Sequence, residues 1–250
     1  MPTERIAFPG HGGDELAGSF FVPDEPLGDG QAVVLVHEVF GLDPATEDVA
    51  RRLATAGYHV LAPDLYGREG TPGPAPTEAD PAPEWTLDQI RAASSGVPDR
   101  RALADLDGAA GWLAQHEDVD ARSVAIVGFC MGGTLAFLAG CTSTRFACVV
   151  DFYGRVLYGD LSEIKPVQPI EMLLNLDRPL LALFGEEDAS IPLDDVRLLE
   201  KHLSDANKDF ELVTYPGAGH GFFNARRARH HQASADDAWA RTLRFLEERL

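Results

Sequence analysis

One cysteine of the sequence stands where a nucleophile could be placed. Cys130 lies between Gly128 and Gly132, after an apolar segment rich in Val and Ile and before a second apolar segment. This pattern predicts a buried strand that turns sharply at the cysteine and continues as a helix. The glycines let strand and helix pass closely around a strained apex, so the three residues match a nucleophile elbow with sulfur in place of oxygen. A helix N-terminus under the sulfur favours the thiolate and supplies N–H groups to an oxyanion.

Three further reactive side chains each follow a predicted strand. They are Glu38, Asp188 and His220. Because parallel strands end at one edge of a sheet, we expect these groups to meet Cys130 there. The chemistry assigns thiolate attack on a carbonyl to Cys130, proton transfer to His220, and orientation of the imidazole to Asp188. The order nucleophile, acid, histidine along the chain is that of α/β-hydrolases.

Glu38 is the unusual member of this group. Its carboxylate could accept the thiol proton, or it could hold the cysteine neutral until substrate arrives. His37 and Glu38 do not form a zinc motif, since Gly41 stands where the second histidine of H-E-x-x-H would be. The oxyanion donors would be the backbone N–H groups of Met131 and Val39.

Each of these residues also has a simpler interpretation when taken alone. Asp188 could cap its own loop, and the neighbouring Glu186 and Glu187 compete for its role. Glu38 could be an exposed side chain. The specific signal is that all four residues occur in this order, each directly after a predicted strand. Coincidence explains that combination poorly.

The elements that must position these residues alternate between strand and helix. An N-terminal hairpin is predicted over residues 5–22, and later strands at 32–36, 58–62, 124–129, 146–154, 179–185 and 210–215. Helices are predicted from Pro44 to Gly57, over 85–93, from Pro98 to Leu113, after Cys130, and over 192–203 and 233–250. This alternation predicts a single α/β domain, 1–250, with one mostly parallel sheet covered by helices on both faces. Residues 67–98, rich in Pro and Gly, are expected to form a lid-like or mobile segment.

Composition narrows the classes of partner. The 250 residues carry a formal net charge of −19, which argues against nucleic acid and anionic membranes. No apolar run is long enough to span a bilayer and no leader pattern is present, so we expect a cytoplasmic location. Three cysteines without a CxxC pair argue against disulfides and zinc, so no metal is expected, and Cys141 and Cys148 are expected to pack as small apolar side chains.

These motifs together resemble the dienelactone hydrolase (carboxymethylenebutenolidase) family. The matching segments are 37–42, 63–67, 128–133, 152–154, 185–188 and 217–220. The resemblance implies the α/β-hydrolase fold, a triad of Cys130, His220 and Asp188, and a Glu38 that activates the thiol when substrate binds. It further implies hydrolysis of a lactone or ester through an acyl-thioester on Cys130 without any cofactor, and a role in aromatic catabolism.

The sequence departs from the family pattern where that pattern binds a substrate carboxylate. An arginine is expected shortly after the catalytic histidine, but the fourth residue on is Asn224. Arg91 is the nearest candidate for a second arginine before the elbow. The basic run that begins at Arg226 is either a solvated turn or a positive rim that attracts an anionic substrate. Tyr153 and Phe222 are the remaining candidates for contact with substrate.

Two rival functions stay open from the sequence. The protein could be a general carboxylesterase or thioesterase for small neutral esters. It could instead be a non-catalytic protein in which Cys130 responds to ligand or redox state. The expected partner is a small-molecule lactone or ester, and the expected assembly is a monomer or weak homodimer.

Overall fold

A computed structural model describes residues 3–74 and 83–250 of the chain. The strands are β1 (Thr3–Pro9), β2 (Glu15–Phe21), β3 (Ala32–Val36), β4 (His59–Pro63), β5 (Val124–Phe129), β6 (Val149–Phe152), β7 (Leu180–Gly185) and β8 (Phe210–Tyr215). The helices are α1 (Pro44–Thr55), α2 (Leu87–Gly96), α3 (Asp99–Leu113), α4 (Met131–Thr142), α5 (Leu193–Asp205) and α6 (Gln232–Arg249). Two 3-10 helices cover His11–Gly13 and Pro169–Asn175.

The strands form one sheet in the order β1-β2-β4-β3-β5-β6-β7-β8. β2 is antiparallel to both β1 and β4, and every pairing from β4 onward is parallel. Val36 pairs with Gly128, so the loops that carry Glu38 and Cys130 leave the sheet side by side. The predicted mostly parallel sheet with an N-terminal hairpin is confirmed.

Buried strands and capped helices explain why the chain folds this way locally. Every residue of β3, β4, β5 and β7 is buried, as expected for strands covered on both faces. Asp43 caps α1 by accepting a hydrogen bond from the N–H of Thr46 at 3.0 Å. Gly57, with φ of 100°, follows the end of α1 in the left-handed conformation that glycine tolerates.

The two faces of the sheet are covered by different helices. The chain leaves β3 through α1 to β4, and leaves β5 through α4 to β6, in opposite directions along the sheet. Because such crossovers are right-handed, α1 and α4 cover opposite faces. α6 joins α1 on its face, where the Arg52 guanidinium lies 4.0 Å from the centre of the Trp239 ring. The buried apolar side chains form one continuous core.

The largest differences from the sequence prediction lie outside the central sheet. The helix predicted over 85–93 is observed as α2. It starts at Leu87 because the Thr86 side chain caps the helix at the preceding position. The 3-10 helix Pro169–Asn175 was not predicted. Part of the expected lid-like segment, residues 75–82, lies outside the described residues. Within the part of the chain that is described, no helix has the length and apolar composition needed to cross a bilayer.

Candidate active site

Cys130 occupies the sharp turn between β5 and α4. Its φ of 55° and ψ of −117° are rarely adopted by a residue with a side chain, and such strain costs about 1–3 kcal/mol. A Cβ at Gly128 would lie 1.9 Å from the Gly132 carbonyl oxygen, and one at Gly132 would lie 2.4 Å from the Val36 carbonyl oxygen. Only glycine therefore permits this close passage of strand, turn and helix.

Cys130, His220 and Asp188 form one chain of hydrogen-bonding contacts. The Cys130 sulfur lies 3.0 Å from Nε2 of His220, and Nδ1 of the same ring lies 2.7 Å from Oδ2 of Asp188. Oδ1 of Asp188 accepts hydrogen bonds from the N–H groups of Ser190 and Ile191 at 2.7 and 3.0 Å. The Asp188 carboxylate is thus fixed by backbone donors and turned toward the imidazole.

The surroundings of His220 favour its charged form. Burial by itself would lower the pKa of His220, but the Cys130 sulfur and the Asp188 carboxylate together raise it to about 10. An imidazolium beside sulfur stabilises the thiolate, which is the nucleophilic form of cysteine. This arrangement can therefore place a nucleophilic sulfur and a proton donor side by side.

Glu38 is buried and held by two neutral donors. The Tyr153 hydroxyl donates to Oε1 of Glu38 at 3.3 Å, and the Asn224 amide donates to Oε2 at 2.6 Å. Burial raises the pKa of Glu38, and nearby Asp43 raises it further, whereas the Asn224 hydrogen bond lowers it. No hydrogen bond joins Glu38 to Cys130 among the described residues, so its carboxylate is turned toward Tyr153 and Asn224.

Within the described part of the chain, no acceptor competes for the two predicted oxyanion donors. The N–H groups of Met131 and Val39 make no hydrogen bond to any described residue. Met131 is the first residue of α4, where N–H groups have no partner within the helix. The Tyr66 hydroxyl, 3.1 Å from the Val39 carbonyl oxygen and 3.6 Å from the Met131 sulfur, links the two segments.

His37 holds the loop that carries Glu38. Its Nδ1 lies 2.6 Å from the carbonyl oxygen of Glu38, and its Nε2 lies 3.2 Å from the N–H of Leu65. Nε2 must accept that proton, so Nδ1 carries the ring's own proton. Burial lowers the pKa of His37, which favours this neutral form. Sequence reasoning considered His37 only as a zinc ligand, and no local pattern marked it as a positioning residue.

A pocket opens beside Glu38 between α1 and the segment after His220. Its volume is about 470 Å³ when the adjoining space open to solvent is included. Three of the predicted substrate-binding residues line it, namely Tyr153, Asn224 and Arg226. Arg226 is also bonded to Asp48, with Nε 3.0 Å from Oδ2.

The structure does not bring the other two predicted substrate-binding residues to this pocket. Arg91 is highly exposed on α2 and lies 3.7 Å from Asp88. Phe222 is fully buried, with its ring packed between those of Tyr153 and Tyr215. The next residue, Phe223, lines the pocket instead.

Sequence reasoning also missed residues of α1 in the pocket, above all Arg52. No motif marks them, since an arginine on a helix usually faces solvent. Among the described residues, no cluster of three His, Cys, Asp or Glu side chains could hold a metal ion.

The sequence model of the Dienelactone hydrolase family matches residues 16–250. The chain belongs to the dienelactone hydrolase family. Its fold is therefore the α/β-hydrolase fold, and the protein is a carboxylic ester or lactone hydrolase, as both the family match and its relatives indicate.

Individual relatives of this dienelactone hydrolase family member cover nearly the whole chain. A Yersinia pestis protein with the provisional name carboxymethylenebutenolidase is 35% identical over 237 residues, 94% of this chain and 85% of its own. A Bradyrhizobium protein, provisionally named a 2-oxo-3-(5-oxofuran-2-ylidene)propanoate lactonase, is 33% identical over 215 residues, 86% of this chain and 82% of its own. A Klebsiella pneumoniae crystal structure, provisionally named a dienelactone hydrolase, superposes with a TM-score of 0.87 at 34% identity and 98% coverage of both chains.

Proposed function

We propose that the protein hydrolyses a carboxylate-bearing lactone or ester through an acyl-thioester on Cys130. The observation that carries this proposal is the 3.0 Å contact between the Cys130 sulfur and Nε2 of His220 at the strained elbow. A nucleophile and its proton-transfer partner within hydrogen-bond reach, with a third group orienting the partner, are the recurring parts of covalent catalysis. The name of the Bradyrhizobium relative, which specifies a propanoate lactone, supports the substrate class.

In the first half of the reaction, the thiolate adds to the carbonyl carbon. The carbonyl oxygen becomes an oxyanion, which the free N–H groups of Met131 and Val39 stabilise by hydrogen bonds. The carbon–oxygen bond of the lactone then breaks, and the His220 imidazolium gives its proton to the leaving oxygen. The products of this step are the thioester on Cys130 and a neutral imidazole.

In the second half, His220 acts as a base. The neutral imidazole takes a proton from water, and the resulting hydroxide adds to the thioester carbonyl. The carbon–sulfur bond breaks, which releases the carboxylic acid and restores the thiolate and the imidazolium. Asp188 keeps its charge throughout and stabilises the imidazolium each time it forms.

Glu38 is the proposed proton acceptor that converts residual thiol to thiolate when substrate arrives. Its hydrogen bonds to Tyr153 and Asn224 hold it in place until the substrate enters the adjoining pocket. A substrate that disturbs either bond frees the carboxylate to turn toward the sulfur. Alkylation of Cys130 by iodoacetamide should then be faster when a non-hydrolysed substrate analogue is bound, and equal rates with and without the analogue would contradict this role.

The experiment that tests the function is a substrate panel run on matched cysteine variants. Dienelactones, simple lactones and p-nitrophenyl esters are offered to wild type, Cys130→Ala, Cys130→Ser and Cys141→Ala. We expect Cys130→Ala to abolish turnover, and Cys141→Ala to retain it because Cys141 is buried in the last turn of α4, whereas Cys130 directly precedes that helix. Acid quenching of wild type during turnover should reveal the acyl mass on the peptide containing Cys130.

Each other outcome of the panel selects a different function. Preference for neutral esters over every lactone would identify a general carboxylesterase or thioesterase. Ligand binding without turnover by wild type would identify a ligand- or redox-responsive protein. Retained turnover in Cys130→Ala would exclude the thioester mechanism.

A further inference from the structure

The pocket beside Glu38 adjoins the proposed catalytic residues through shared walls. Phe129, which lines the pocket, directly precedes Cys130 in the chain. Tyr153 lines it as well, and its ring packs edge-on against that of His220 with the ring centres 5.2 Å apart. A substrate whose carbonyl lies at Cys130 therefore has this pocket as a neighbouring space for the rest of its skeleton.

The walls of the pocket suit a carbon skeleton. Val49 of α1 and the rings of Phe129 and Phe223 supply apolar surface. The two phenyl rings have their centres 5.2 Å apart and are themselves well buried. An aliphatic chain or an unsaturated ring placed against them would lose its contact with water at little cost.

Arg52 places a cation at the pocket, and within the described part of the chain its guanidinium is held by aromatic rings and not by a direct ion pair. Its guanidinium lies 4.0 Å from the centre of the Trp239 ring and 5.3 Å from that of Phe223. Among residues 3–74 and 83–250, no acidic side chain forms an ion pair or hydrogen bond with it. Stacking on aromatic rings fixes the plane of a guanidinium and leaves the N–H groups at its edge available to an anion.

The neighbouring arginines, unlike Arg52, form direct ion pairs with carboxylates. Arg226 also lines the pocket, but it is paired with Asp48 at 3.0 Å. Arg51, next to Arg52 on α1, is paired with Glu47 at 2.7 Å and with Asp48 at 3.1 Å, and it does not line the pocket. Burial lowers the pKa of Arg52, whereas the nearby Asp236 and Asp48 carboxylates raise it, and a guanidinium keeps its charge throughout the physiological range.

We propose that Arg52 is the anion-binding end of the substrate pocket and receives the carboxylate of the lactone or ester attacked by Cys130. This inference rests on the proposed function and names the residue that selects its substrate class. The carboxylate accepts hydrogen bonds from the edge of the guanidinium, while the skeleton lies against Phe129 and Phe223. Arg52 thereby supplies the cation that Asn224 does not.

The test compares two esters that differ in one charge. Mono-p-nitrophenyl glutarate carries a terminal carboxylate on its acyl chain, and p-nitrophenyl butyrate carries none. Wild type, R52Q and the matched control R51Q are assayed with both. We expect R52Q to lower kcat/KM for the glutarate ester about 10-fold more than for the butyrate ester, mainly through KM, because a charge-assisted pair is lost. R51Q should leave the ratio of kcat/KM for the two esters unchanged.

Two results would overturn the role of Arg52. One is an equal loss for both esters in R52Q, which would indicate a structural effect on α1. The other is the same change in the ratio of the two kcat/KM values in R51Q. That result would indicate that the general charge of α1 attracts the substrate, and not a contact with the Arg52 guanidinium.

A binding measurement separates this inference from the proposed function. Calorimetry with mono-p-nitrophenyl glutarate on C130A and on C130A/R52Q needs no turnover. A Kd about 10-fold weaker in the double variant supports the subsite even if the thioester mechanism fails. Equal Kd values contradict the subsite, whether or not Cys130 is the nucleophile.

Discussion

At the scale of single residues, the candidate site combines one residue with a strained backbone and well-anchored partners. Cys130 is held at positive φ, whereas Asp188 is fixed by two backbone N–H groups. His220 lies between them, and its two ring nitrogens face different partners. The charge of the imidazole therefore depends on both neighbours, so the pH dependence of the reaction should respond to either.

Replacement of Asp188 by Asn should move the alkaline limit of activity. Because the Asp188 carboxylate helps raise the pKa of His220 to about 10, its loss lowers that pKa, and the imidazolium disappears at a lower pH. We expect the alkaline limb of kcat/KM to shift to lower pH and kcat to fall roughly 10²- to 10⁴-fold. Glu186→Gln is the control, since Glu186 contacts Thr214 and not His220. An unchanged alkaline limb in Asp188→Asn would contradict the assignment.

Replacement of Asn224 by Ala should move the acid limit. The Asn224 amide lowers the pKa of Glu38, so its removal raises that pKa, and the carboxylate forms only at higher pH. If Glu38 acts as a carboxylate, the acid limb of kcat/KM should shift to higher pH. A pH–rate profile of the variant checks this, and an acid limb identical to that of wild type would remove Glu38 from the proposed mechanism.

At the scale of elements, the elbow depends on the close passage of β3, β5 and the first turn of α4. Gly132 is packed against the backbone of the strand that leads to Glu38. The same contact brings the N–H of Met131 beside the loop of Val39, which Tyr66 also holds. Helix and loop thus position the two proposed oxyanion donors together.

Gly132→Ala should damage stability and activity at once. The added Cβ would lie 2.4 and 2.6 Å from the carbonyl oxygens of Val36 and His37, so backbone must move. We expect a loss of about 1–3 kcal/mol in the free energy of unfolding, measured in urea, together with a loss of kcat. Gly159→Ala is the matched control, because nothing lies within 4 Å of its added Cβ. Equal stability of the two variants would refute the packing explanation.

At the scale of the whole molecule, one buried histidine links folding to pH far from the candidate site. His59 of β4 is fully buried, and neither ring nitrogen has a hydrogen-bond partner among the described residues. Its ring centre lies 6.2 Å from that of Phe20 and 6.0 Å from that of His116. Burial, and to a lesser degree His116, lowers the pKa of His59.

His59→Phe should therefore reduce the loss of stability in acid. The unfolded chain binds a proton at His59 near pH 6.5, whereas the folded protein binds it only at lower pH. Stability is complete above about pH 6.5 and falls below it by at most about 1.4 kcal/mol per pH unit. Urea unfolding at pH 7 and pH 5 should show a smaller difference for His59→Phe than for wild type. The exposed His202, replaced by Gln, is the control, and an equal difference in all three proteins would exclude His59 as the cause.

The sequence by itself determined the elbow, the order of its catalytic candidates and the alternation of strands and helices. These features depend on local rules, because glycine spacing and apolar periodicity act over a few residues. The parallel arrangement then implied that Cys130, Asp188 and His220 meet at one edge. Their distances agree with that expectation.

Only the tertiary structure decided which side chains surround Cys130, Asp188 and His220. Glu38 and Asn224 are 186 positions apart, and Arg52 and Trp239 lie on different helices, so no local pattern could pair them. The sheet order and the packing of α1 against α6 bring these side chains together. Which arginines face the pocket is therefore a property of helix packing. For this reason the sequence pointed to Arg91, which lies elsewhere, and missed Arg52, which lines the pocket together with Arg226.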